Sequence, residues 1–203
     1  MGLFDQLKNQ VTSSIKREVS KTVNEVAKDA ANAVGKGRNH SETFVFQELP
    51  KNLAELKALP EASLDTPFKT TAICIAALCR FKEDPEAVWE MIEFLNGPED
   101  LNPSNKSTIT ERLTGKEYKT FSFFKGATPE NAYTPSKPST ITVSENPYSF
   151  DNENWAVLYV TSGGADNPRP VKLRKKPSTN QWFINDLQCL SDIRIPTEQD
   201  KWA

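Results

Sequence analysis

Three times between residues 66 and 103 a side chain able to cap a helix stands directly before a proline: Thr66-Pro67, Asp84-Pro85 and Asn102-Pro103. Thr, Asp or Asn at an N-cap accepts a hydrogen bond from a free N–H of the first turn. Proline at the first helical position loses nothing, because its missing N–H has no intrahelical partner there. Each start also has a stop. PEAVWEMIEFLNGP sets Val88, Trp89, Ile92 and Leu95 on one face and ends at Gly97-Pro98, and the third helix reaches Leu113 before Gly115. The first, from Pro67 to about Phe81, is apolar nearly all round between Ala72 and Cys79, which predicts the central buried helix. Ahead of it lie a strand-like FVFQ from Phe44 and a helix-forming LAELKAL between Pro50 and Pro60.

After Gly115 the period changes. YKTFSFF, STITVSE, WAVLYVTS, PVKLRKK and QWFINDL are aromatic and β-branched runs separated by turn residues. Helices first and strands after predict an α+β fold, a helical half followed by an antiparallel β-sheet meander. TSGGADNPRP and PSTN supply hairpin connections, so residues 155 to 187 read as three antiparallel strands. Trp155, Val157 and Tyr159 alternate with Ala156, Leu158 and Val160, the pattern of a strand covered on both faces. Val171 and Leu173 alternate with Lys172 and Arg174, the pattern of one wet face. The stretch from Gly126 to Pro138 holds three prolines and few apolar groups, and predicts an ordered loop or extended crossing.

Ahead of all this runs a different kind of segment. Leu3, Phe4, Leu7, Val11, Ile15, Val19, Val23, Val26, Ala30 and Val34 step by three and four along one stripe, without a proline, until Gly35 stops it. A long amphipathic helix over residues 1–35 follows, about 50 Å at ~1.5 Å per residue. Phe4, Ile15 and Val26 recur every eleven residues, a period that keeps a stripe nearly straight and suits a flat surface or a loose right-handed bundle. Residues 1 to 38 carry seven basic and four acidic side chains, +3, which leaves −5 for the rest of a chain whose net charge is −2. Such a helix can lie in an anionic membrane interface or gather copies of the chain through the same stripe, the remaining alternatives being that it docks on the chain's own domain or stays disordered. Its Val- and Ala-rich face buries little area, so the binding is weak and reversible. The Met-Gly start lacks the Ser or Thr at position 6 that N-myristoylation needs, since Gln6 stands there. Residues 36–43 have the composition of a flexible linker, and residues 44–203 form one compact α+β domain, in keeping with 203 residues in all.

Chemistry is scarce. One His, three Cys and eight Gly leave little for His-based catalysis, zinc sites or glycine-rich phosphate loops. His40 falls in the linker, where nothing orders it as a base, and Cys74, Cys79 and Cys189 read as buried free thiols in a reducing compartment. No metal ligand set and no cofactor follow. Asp5 and Gln6 break the apolar core that a signal peptide needs, and the charge-free run Thr70 to Cys79 is half of the roughly 20 residues of a spanning helix. The expected location is the cytoplasm, with peripheral attachment at the inner face of the membrane.

The densest charge is RPVKLRKKP, with Arg169, Lys172, Arg174, Lys175 and Lys176 as a candidate patch for an anionic partner and Trp182 nearby for stacking. The acidic balance of the surrounding domain argues against nucleic acid, and lysines on a sheet also block edge-to-edge pairing. Glu83, Asp84 and Glu86 gather at a helix start, where capping explains them. Ser162-Gly163-Gly164 reads as a turn, and Tyr118, Tyr133, Tyr148, Phe121, Phe123 and Phe124 serve an ordinary core as well as a pocket. No set of residues forms a catalytic constellation.

LPKNLAELKALPEASLDTPFKTTAICIAALCRF, FFKGATPENAYTPSKPSTITVSENPYSF, LYVTSGGADNPRPVKLRKKPSTNQWF and the closing DIRIPTEQDKWA resemble an uncharacterised family of bacterial cytoplasmic proteins, a domain of unknown function, over roughly residues 44–203. The resemblance implies a bacterial source and carries no activity, cofactor or site. VKLRKKPSTNQWFINDL after a helical half also looks like the last hairpin of cone-shaped nuclear-transport-factor-like domains, which hold small ligands beneath a curved sheet; this is an analogy of fold alone. The expected function is that of a non-enzymatic interaction protein, its helix bound to a membrane surface or to its own copies and its α+β domain to a protein partner. The alternative is a small-ligand-binding or hydrolase-like domain with a pocket between sheet and central helix.

Overall fold

The computed structural model describes residues 39–202, and the amphipathic segment with Leu3, Phe4, Leu7, Val11, Ile15, Val19, Val23 and Val26 lies outside the described residues. The fold is α+β. Five strands, β1 Ser41–Phe46, β2 Ser139–Ser144, β3 Trp155–Val160, β4 Arg169–Lys176 and β5 Gln181–Asp186, form one antiparallel sheet in sequential order. The helices α1 Leu53–Ala58, α2 Pro67–Leu78, α3 Pro85–Asn96, α4 Pro103–Leu113 and the single turn α5 Tyr118–Phe121 all enter between β1 and β2.

The capped starts form as the sequence predicts. Thr66 Oγ1 accepts from Lys69 N at 3.3 Å, Asp84 Oδ1 from Ala87 N at 3.1 Å, and Asn102 Oδ1 from Ser104 N at 2.8 Å. A fourth cap escaped the proline pattern: Asn52 Oδ1 accepts from Glu55 N, and Glu55 Oε2 accepts from Lys51 N, each at 2.9 Å. α2 is the central helix, with eleven of its twelve residues buried. It packs on the inner face of the sheet, where Ile141, Val143, Leu158, Val171 and Leu173 are also closed to solvent. Its buried hydroxyls are satisfied, Thr71 by Pro67 C=O at 2.8 Å and Thr70 by Trp182 C=O at 3.0 Å, as buried polar groups require.

Three readings change. β1 begins at Ser41, so residues read as the end of the linker are strand. His40 is held: its ring meets Phe68 edge-on at 5.3 Å, Nε2 lies 3.5 Å from Glu42 Oε1, and its C=O accepts from Glu145 N at 2.9 Å. YKTFSFF makes a helical turn instead of a strand. Thr120 Oγ1 and Ser122 Oγ donate to Glu117 and Lys119 C=O at 2.9 and 2.7 Å, and such local bonds compete with a ladder. The run still joins the sheet at its end, because β2 and β3 pair only at Val143–Val160 and Ser144–Tyr159 and then diverge. Phe124 enters the gap, bridging to Ile141, while Lys125 N donates to Thr140 C=O at 2.8 Å.

Candidate functional site

The sheet's two faces differ because its strands alternate. On the inner face Ala156, Leu158 and Val160 of β3 and Val171 and Leu173 of β4 are buried. The outer face carries Trp155, Val157 and Tyr159 of β3, which are half-buried, so the strand read as covered on both sides is fully covered on one. In the hairpin register Trp155 stands opposite Arg174 and Val157 opposite Lys172. Both cations turn to the indole: Lys172 Nζ lies 4.7 Å and Arg174 Cζ 5.4 Å from the centroid of Trp155. Opposite Arg174 on the other side is Phe183 of β5. The outer face is thus an aromatic strip with a cationic border.

The loop after α3 closes one side of this face. Gly97 takes φ +87°, a conformation that suits glycine, and a Cβ there would fall 2.6 Å from Phe183 Cγ. The missing side chain lets the loop lie on the sheet, and Glu99 Oε1 comes to 3.2 Å from Arg174 Nη1. Between loop and hairpin runs an open groove of about 200 Å³, lined by Asn96, Pro98, Glu99, Arg174, Lys176 and Phe183 among others. A narrower cleft of about 40 Å³ continues from it past Asn185 toward Asn105 and Arg112 of α4. Arg112 Nη1 donates to Leu187 C=O at 3.1 Å, which fixes that end.

The five basic residues singled out in the sequence are not brought to one place. Lys172, Arg174 and Lys176 alternate onto the outer face. Lys175 falls on the other parity, 5.7 Å from the ring of Trp182, and lines the groove with Arg174 and Lys176. Arg169 begins the strand and donates to Asp192 C=O. Trp182 is buried and packs edge-on against Phe150 at 6.1 Å, so the indole beside the basic strand on the outer face is Trp155. The acidic contribution of Glu99 and the amides of Asn96 and Asn185 had no local signal, for they reach the groove from separate elements.

The remaining candidates are structural. Burial pushes the Cys79 and Cys189 thiols up to about 12 and Cys74 well above the usual range, so none supplies a thiolate near neutrality. Tyr118 stacks on Tyr133 at 5.3 Å, and the Tyr133 hydroxyl, pushed up to about 12 by burial, donates to Arg194 C=O at 2.7 Å. Gly163 N donates to Ser122 C=O and Gly164 N to Ser162 Oγ, which makes that stretch a tie between elements. Among the described residues no three His, Cys, Asp or Glu side chains converge as a metal site. No described helix is long and apolar enough to cross a membrane.

The fold and face define an α+β domain with helices on one side of an antiparallel sheet and a basic, aromatic surface on the other. The chain belongs to the family described as Domain of unknown function (DUF6935), whose model matches residues 48–197. No curated protein and no solved structure matches it, and the nuclear-transport-factor analogy carries no argument here.

Proposed function

We propose that the chain is a non-enzymatic interaction protein whose outer sheet face docks an acidic segment of a protein partner. The observation that carries this is Trp155 bordered by Lys172 and Arg174 on the half-exposed face of the sheet. An indole flanked by cations offers a partner both apolar area and charge-assisted contacts, the combination that anchors interfaces. Glu99 on Arg174 supports the reading: a carboxylate already suits the site, and a pair this exposed is weak enough to exchange for another. In this reading the amphipathic segment 1–35 brings the domain to the inner face of a bacterial membrane or to other copies, and the domain selects the partner there.

Titrating a fluorescein-labelled glutamate-rich peptide with the full chain, followed by anisotropy, tests the docking face. Binding that weakens at least about tenfold in the Lys172→Glu/Arg174→Glu variant and falls with salt is expected. Equal affinity of both proteins rejects the site. Flotation with phosphatidylserine-containing vesicles, with and without residues 1–35, tests recruitment, and equal partitioning of the two forms rejects the membrane version.

The tight packing of Ile73, Cys74, Ile75 and Leu78 of α2, all closed to solvent, weighs against the alternative of a ligand pocket between the sheet and this helix. A small ligand finds more room in the groove beside Phe183.

A further inference from the structure

The two edges of the sheet are finished differently. At β5 the edge is tied to the helical layer at Trp182: Trp182 N donates to Leu64 C=O at 2.8 Å, Trp182 C=O accepts from Thr70 Oγ1 at 3.0 Å, and beside them the side chain of Gln181 donates through Nε2 to Ser63 C=O at 3.3 Å. At β1 the direction of each main-chain group follows from its register with β2. Glu145 N donates to His40 C=O, and Ser41 stands opposite Ser144. Alternate residues of an antiparallel pair face the partner strand, so Glu42, Phe44 and Phe46 turn their N–H and C=O toward β2, while Ser41, Thr43 and Val45 turn theirs away. Among the described residues nothing bonds those outward groups.

Sheet proteins blunt such an edge with lysine, proline, a bulge or a covering segment. SETFVF has neither lysine nor proline, and it pairs with β2 residue for residue without a bulge. Val45 on it is 52% exposed. The one charged side chain of the strand, Glu42, already lies against His40.

We infer that β1 pairs antiparallel with β1 of a second copy of this chain, about a two-fold axis through Thr43, joining two sheets edge to edge. A second copy fits because the edge is complementary to itself. The outward-facing residues are symmetric about Thr43, with Ser41 opposite Val45 and Thr43 opposite Thr43, so every outward N–H meets an outward C=O. The same register puts open-face side chains opposite open-face side chains, and these are small and uncharged. The contact is short, so the dimer is weak and depends on concentration. It is independent of the docking face, which lies on β3 to β5.

Sedimentation equilibrium of the full chain, with hydrogen exchange at low and high concentration, tests the inference. The apparent mass rises from 22.8 kDa toward twice that value, and protection rises at the Thr43 and Val45 amides while the Phe44 amide, already bonded to β2, is unchanged. Thr43→Pro removes an outward donor that β2 does not use, a position where edge strands accept proline. It weakens association at least about tenfold, as does Val45→Lys, which leaves the backbone intact. A monomer at every concentration overturns the inference. So does association that survives both substitutions, whether or not Phe4→Asp/Ile15→Asp abolishes it; loss in that variant shows that copies meet through residues 1–35.

Discussion

Glu145 is a buried acid that folding penalises. It is 4% exposed, and among the described residues neither carboxylate oxygen has a hydrogen-bond partner. Burial raises its pKa above the ordinary range; His40 pulls it down and Glu42 pushes it up. A carboxyl whose pKa is raised by folding favours the native state while protonated, and that contribution is lost as pH rises through the folded value. Glu145→Gln therefore removes a penalty at pH 7 that is absent at pH 4, and the substitution should raise the urea midpoint more at pH 7 than at pH 4. Identical pH profiles contradict this account. Gly97 is the opposite case, a residue that matters for what it lacks. With φ +87° and Phe183 Cγ 2.6 Å from the place of a Cβ, Gly97→Ala should cost about 2 kcal/mol, through backbone strain and displacement of the ring, read as a lowered urea midpoint. A helix stop at Gly97 was legible in the sequence. Its contact with a strand 86 positions later was not, since nothing local to either residue encodes the meeting.

Elements were legible where one local force dominates. α2 announced itself by an apolar run behind a Thr-Pro cap, and the structure buries eleven of its twelve residues. Ile73→Ala, at a position with no exposure, should cost about 2–5 kcal/mol in an equilibrium unfolding experiment, because the cavity adds to the lost transfer energy. A loss below about 1 kcal/mol would mean that the helix is less central than its burial implies. The strands of the β3–β4–β5 meander were legible because turn residues join neighbours. β1 was not placed in the sheet, because its partner β2 lies on the far side of all five helices. α5 was misread since aromatic and hydroxyl residues suit a strand by composition. The choice fell to side-chain bonds from Thr120 and Ser122 and to the narrow gap that opens between β2 and β3.

At the scale of the whole molecule, helices cover one side of the sheet and a basic aromatic strip remains on the other. The charge density of β4 was visible in sequence, but its division was not. Pairing with β3 and β5 decides that Lys172, Arg174 and Lys176 share the outer face while Lys175 faces Trp182. Trp155 became part of the site only through that register. The amphipathic segment is the reverse, fully written as a pattern in residues 3 to 34 and lying outside the described residues. The account rests on the sign and position of charge around Trp155, and a charge exchange reads both together. In the Lys172→Glu/Arg174→Glu protein, anisotropy titrations should show the glutamate-rich peptide lost and a lysine-rich peptide gained, each by at least about tenfold relative to the native chain. If the exchanged protein binds the two peptides as the native chain does, the outer face of the sheet is not the docking surface.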